Sequence, residues 1–188
     1  VDASNNKLTT LDVSAAKNLT TLNVANNTLG SLNVAQNKAL VELNCTGNDI
    51  ATLNLTNLLL LEELYCGGNN LAALNVTKNT ALTALECNDN GLTALDLTKN
   101  AALVTLNCRD NQLTNIHFGS NRFTDIDCAN NQLNNLNVST FTKLQRLDCS
   151  HNNIATLDVA KCAAIETLNC SYNSIASLNV SANSKLNT

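Results

Sequence analysis

Seven cysteines, Cys45, Cys66, Cys87, Cys108, Cys128, Cys149 and Cys170, recur every 21 residues with one interval of 20. A fixed period of this length is the coil of a solenoid, in which each repeat buries its apolar side only by stacking on its neighbours. Every cysteine stands in the same phrase: an apolar residue, two variable residues, Leu or Ile, one variable residue, Cys, two variable residues, Asn. The cysteines therefore mark one core position met once per turn.

Aligned on its leucines, the chain alternates two half-units. The A half has 10 residues, as in LTTLNVANNT from Leu19, and the B half has 11, as in LTALDLTKNAA from Leu92. About nine such repeats fill residues 1–188, read as a single domain. The sixth A place is Cys in seven of eight halves, whereas B has Val, Leu or Phe there. The ninth A place is always asparagine, at Asn27, Asn48, Asn69, Asn90, Asn111, Asn131, Asn152 and Asn173, and the ninth B place is Asn in only five of nine. Unequal residues imply that A and B are opposite sides of one coil.

In each A half, apolar fourth and sixth places alternate with outward third and fifth places, the period-2 pattern of a half-buried strand. Stacked coils then form a parallel sheet, and the B half returns the chain in extended backbone or very short strands with little or no helix. At about 4.8 Å per coil, nine coils make a slab about 43 Å long. A turn at the strand end leaves backbone groups that a carboxamide can satisfy as donor and acceptor, which explains the asparagine column. In-register parallel strands keep successive cysteine Cβ atoms about 4.8 Å apart, beyond the usual disulfide range of about 3.5–4.5 Å. The thiols are expected to stay reduced, and a disulfide framework is the less favoured reading of the eight cysteines.

The phrases LxxLxCxxNx and LxxLDVSxNxx resemble the leucine-rich repeats of bacterial internalin-type proteins, in the 21-residue variety where cysteine replaces a core leucine. The resemblance implies a right-handed solenoid whose A strands line a concave face that binds another macromolecule. It also implies a bacterial protein at the cell surface or secreted. The chain opens at a fourth A place, Val1, and ends shortly after Leu186, so it is expected to be a repeat region cut from a longer protein.

A net charge of −4 gives no basic footprint for nucleic acid or anionic membranes. The longest apolar run, 58–61, is too short to enter a bilayer as a span. The A halves hold 12 acids against 3 bases and the B halves 3 acids against 8 bases, a segregation suited to orienting a basic partner. On the outward A places, Glu42, Glu63, Tyr65 and Glu86 form one candidate contact patch, and Asp125, Asp127, Arg146 and Asp148 a second. Tyr65 is singled out because aromatic anchors dominate many interfaces.

The half from Leu113 to Arg122 is one residue short, with His117 where other B halves have Asp or Asn and Phe118 where they have Val or Leu. Phe118, Phe123 and Phe141 suggest packing that fills the volume of the deletion, or alternatively a ligand site. A column of oxygen-bearing residues from Asp12 to Asn179 admits a calcium reading, disfavoured because most members are neutral amides. Asp125 and Asp127 share a strand face as glycosidase carboxylates do, but a regular solenoid offers no enclosing pocket. Expected, then, is a monomeric, non-enzymatic recognition domain for a protein or glycan, without cofactor or metal. The alternative is a spacer that positions neighbouring modules.

Overall fold

The computed structural model describes residues 1–187; Thr188, the last residue of the expected domain, lies outside them. The strands are three residues each: β1 (Thr21–Asn23), β2 (Glu42–Asn44), β3 (Glu63–Tyr65), β4 (Ala84–Glu86), β5 (Leu95–Leu97), β6 (Thr105–Asn107), β7 (Ile116–Phe118), β8 (Asp125–Asp127), β9 (Arg146–Asp148) and β10 (Thr167–Asn169). All but β5 and β7 belong to A halves and form one parallel sheet ordered β1-β2-β3-β4-β6-β8-β9-β10. The register is strict: Leu22, Leu43, Leu64, Leu85, Leu106, Ile126, Leu147 and Leu168 lie side by side. A bridge from Asp2 to Asn23 continues the sheet toward the start of the chain. Strands β5 and β7, from B halves, pair in parallel on the opposite side. Among the described residues there is no helix, so the architecture is a parallel β-solenoid.

The core lies between these two sides. Leucines of the fourth A place, the cysteine column and the first and sixth B places bury their side chains together. Each buried aliphatic side chain contributes about 1.5–3 kcal/mol through loss of apolar surface to water. All eight cysteines are free, and only Cys170 is less than fully buried. Burial pushes the thiols of Cys45, Cys87 and Cys149 up to about 12, because a thiolate in an apolar core lacks solvation.

Two polar columns close the coil. In the A column, the Nδ2 of Asn69 donates to the carbonyls of Cys66 and Gly67 in its own coil and of Cys45 in the coil before, while its Oδ1 accepts from the amide of Ile50. The same set recurs at Asn48, Asn90, Asn111, Asn131, Asn152 and Asn173, each oxygen taking the first amide of the preceding B half. The inward B column holds Asn37, Asn79, Asn100 and Asn183. Sequence alignment puts Asn121 there too, but Asn121 is exposed and Ser120 turns inward instead, its Oγ donating to the Leu103 carbonyl at 2.6 Å. The missing residue thus falls before the turn, not after it.

The eighth A place, just past each strand, adopts left-handed backbone: φ is 55° at Asn5 and Asn26, and 66° and 61° at Gly47 and Gly68. Asn, Asp and Gly tolerate that region best, and they fill the column until its last two described members, His151 and Tyr172, both at 53°.

Candidate binding face

The outward residues of the eight-stranded sheet fall into two columns, the third and fifth A places. Most of the fifth column serves the fold. The Oδ1 atoms of Asn23, Asn44, Asn107, Asp127, Asp148 and Asn169 each accept the backbone amide two residues on, at 3.0–3.2 Å. This Asx turn fixes the exit of the strand. Tyr65 and Glu86 are the two fifth-place residues of the sheet that lack the short polar side chain this turn needs, and they are neighbours in register on β3 and β4.

All of Glu42, Glu63, Tyr65 and Glu86 are brought together on β2, β3 and β4. Glu42 and Glu63 are adjacent in register, and Tyr65 lies between Asn44 and Glu86. The Tyr65 hydroxyl donates to Glu63 Oε2 at 2.6 Å. That bond, then partial burial and the negative field of Glu63, Glu86 and Glu42, hold the phenol well above its ordinary range, so it remains a donor at physiological pH. Among the described residues none of these three glutamates forms an ion pair. The patch is therefore an unneutralised acidic surface around a half-buried ring.

Asp125, Asp127, Arg146 and Asp148 also share the sheet face, on β8 and β9, but each already has a partner. Arg146 pairs with Asp125 through Nε at 2.8 Å and through a second, closer contact from its Nη2. Arg109 bridges Asp110 at 2.9 Å and Asp127 at 3.3 Å. Asp148 accepts from Ser150 Oγ at 2.6 Å and from Asn169 Nδ2 at 2.9 Å. Burial, the main influence, raises the Asp127 carboxyl above its ordinary value, against the opposing pull of Arg109 and the Ala129 amide. Between the two groups, the small residues Thr105 and Asn107 leave a shallow hollow of about 350 Å³ bounded by Glu86, Asp125 and Asp127.

The opposite side carries a matching set of turns. Asp12, Asn33, Asn54, Asn75, Asp96, Asn137, Asp158 and Asn179 each accept the amide two residues on, so the oxygen column considered for calcium is spent on backbone. Among the described residues no group of three or more His, Cys, Asp or Glu is placed to hold a metal ion. His117 is the departure in that column, and it lies far around the coil from His151, which belongs to an A half. Sequence reasoning missed one feature: the rings of His151 and Tyr172 stack at 4.1 Å and 14° beside the sheet. The signal was present in the eighth place, where two aromatic rings replace the Asn, Asp and Gly that left-handed backbone favours.

Among the described residues the solenoid is parallel and free of helix, and its core leucines, buried thiol column and asparagine-capped turns are like those of internalin-type leucine-rich-repeat proteins with a cysteine ladder. Among solved structures, the functional domain of InlJ from Listeria monocytogenes, which includes a cysteine ladder, is similar at 29% identity and TM-score 0.73, covering 99% of this chain and 51% of that one. A leucine-rich-repeat protein of Leptospira interrogans shares the fold at 23% identity and TM-score 0.85, over 96% of this chain and 50% of that one. Internalin C2 of Listeria monocytogenes does so at 24% identity and TM-score 0.76, over 92% and 81%. The chain thus spans about half the length of the first two. No protein-family profile and no curated protein matches it. Among the described residues no helix is long and apolar enough to cross a membrane.

Proposed function

We propose that this chain is a non-enzymatic recognition domain of a bacterial surface or secreted protein, and that it binds a basic protein segment on the concave sheet face around Tyr65. The observation that carries this is the break in the fifth column: Tyr65 and Glu86 give up the turn-capping role that Asn and Asp perform at the other positions of the sheet. A ring and three unpaired glutamates there offer an apolar anchor within a negative field, which suits Lys or Arg and disfavours nucleic acid. Asp125, Asp127, Arg146 and Asp148 form the rim of the contact rather than its centre, because their side chains are already engaged, Asp125 with Arg146, Asp127 with Arg109 and Asp148 with Ser150 and Asn169. Binding of protein or peptide ligands by solenoids of this fold adds support: a plant peptide hormone receptor that shares the fold is in complex with RGF2. On this reading a single copy of the chain, with about nine repeats, sets the length of the face.

The test is a screen of the domain against host surface proteins and glycans, followed by affinities for the strongest binder. Tyr65→Ala is expected to weaken binding at least about 30-fold, the size of an interface hot spot. Lys99→Ala, on the other side of the coil, is expected to leave it unchanged. Equal affinities for the two variants remove this face from consideration, and a screen without any binder favours the spacer.

A further inference from the structure

The shortened B half changes the surface as well as the core. Ser120 is drawn inward, and Gly119 lies so close to the preceding coil that a Cβ there would sit 2.4 Å from the Leu97 carbonyl oxygen and 2.5 Å from that of Thr98. One residue less means the loop from His117 to Asn121 sits back between two full-length neighbours. The result is a notch of about 780 Å³, walled by Thr98 and Ala101 on one side and by the stretch from Asn134 to Phe141 on the other. That volume is within the range of small-molecule sites.

The chemistry of the notch is uniform. Its lining holds no carboxylate, lysine or arginine. Asn134 and Asn135 are exposed, and their carboxamides make no hydrogen bond within the described protein, so both donors and acceptors are free for a ligand. Asn115 and the hydroxyl of Thr140 add to them, and His117 projects where its column otherwise has turn-capping Asp or Asn. The floor is apolar: Phe118 is half-buried in edge-to-face contact with Phe123 and Phe141, at 5.4 and 5.2 Å between ring centroids.

We infer that this notch is a binding site for an uncharged saccharide, separate from the sheet face. Sugar hydroxyls each donate and accept, which carboxamides answer on both counts, and the apolar face of a pyranose ring suits an aromatic floor. The walls stand one coil away on either side, so the notch admits a chain end or a ring and not a polymer running along the solenoid axis. A charged glycan would find no lysine or arginine among the lining residues.

An array of neutral, sialylated and sulfated oligosaccharides tests the site with the folded domain, and titration calorimetry on the retained members gives affinities. Neutral oligosaccharides are expected to be retained, with affinity falling at least about tenfold in the double variant Asn134→Ala, Asn135→Ala. Both side chains are exposed, so the melting temperature of that variant should match the parent's. Tyr65→Ala should bind the same sugars unchanged, which keeps this site distinct from the proposed sheet-face contact. Retention of acidic glycans alone, retention of no glycan, or equal binding by the double variant overturns the inference. Capture of peptides in place of sugars by these residues overturns it as well.

Discussion

Each coil carries two inward asparagine positions, and the A column is invariant while the B column is not. Asparagine fills the A place in every coil, yet Ala16, Leu58, Ser120, Phe141 and Cys162 replace it in B. The difference lies in how many bonds the carboxamide makes. In A, both ends are used, the oxygen accepting a backbone amide and the nitrogen serving three carbonyls. In B, the Nδ2 of Asn79 donates to the carbonyls of Leu55 and Leu58, but its Oδ1 is buried without a partner, as are those of Asn37, Asn100 and Asn183. An orphaned buried oxygen costs about 1–3 kcal/mol and offsets what the donor bonds contribute. Invariance therefore tracks satisfaction of the whole group, and an apolar residue competes only where half of it is idle.

The largest effect expected sharpens the A side, which also holds the thiol column. Cys45, Cys87 and Cys149 keep their protons in the folded chain up to about pH 12, whereas an unfolded thiol releases its proton near 9. Their contribution is fully present below pH 9 and is lost as the pH rises from 9 through 12, by about 1.4 kcal/mol per thiol for each unit. Urea midpoints measured from pH 8 to 11 should fall steeply, and less steeply when these three are replaced by Ala. A flat profile removes the buried thiols as a determinant. Next in size, Asn69→Ala strands the Ile50 amide and takes one of two donors from each of the Cys45, Cys66 and Gly67 carbonyls, and it should lower stability by about 3 kcal/mol in urea denaturation. A loss under about 1 kcal/mol would erase the contrast between the columns.

On the B side the effects shrink. Asn79→Leu removes two donor bonds but also the orphaned oxygen, and Leu58 already occupies the same place one coil earlier. Its stability should stay within about 1 kcal/mol of the parent, and a change as large as that of Asn69→Ala would break the comparison. Smallest of all, Cys162→Asn should shift stability by about 0.5 kcal/mol or less. The thiol there already reaches the Val138 carbonyl at 3.4 Å, the contact an asparagine makes in this column.

The periodic parts of the molecule were legible from the chain. Cys66 and Asn69 announce their environments because the same environment recurs in each coil and selects the same residue. The outward face was legible only as a set of positions. Whether Asp148 or Glu86 is free depends on which backbone amide lies two residues on and on the length of the side chain, and that local geometry separates a turn cap from an available charge. The deletion was visible as a count, but its place was not: an alignment assigns Asn121 to the inward column, while packing against Leu103 selects Ser120. The stacked pair His151 and Tyr172 was hidden for a different reason. Its meaning lies in a backbone angle, and the identity of neighbouring Asn, Asp and Gly residues had to be read as a statement about φ.

The A-column asparagines also give the solenoid a direction. Both ends of the Asn152 side chain reach back to the coil before it, to the Leu133 amide and the Cys128 carbonyl, and each member of the column repeats the gesture. A coil is thus completed by its successor. On a ribosome, where the chain emerges from its N-terminus, every newly exposed 21 residues would latch the preceding turn while leaving their own latch unset. Growth of the domain resembles the closing of a zip, in which only the most recent tooth is ever loose.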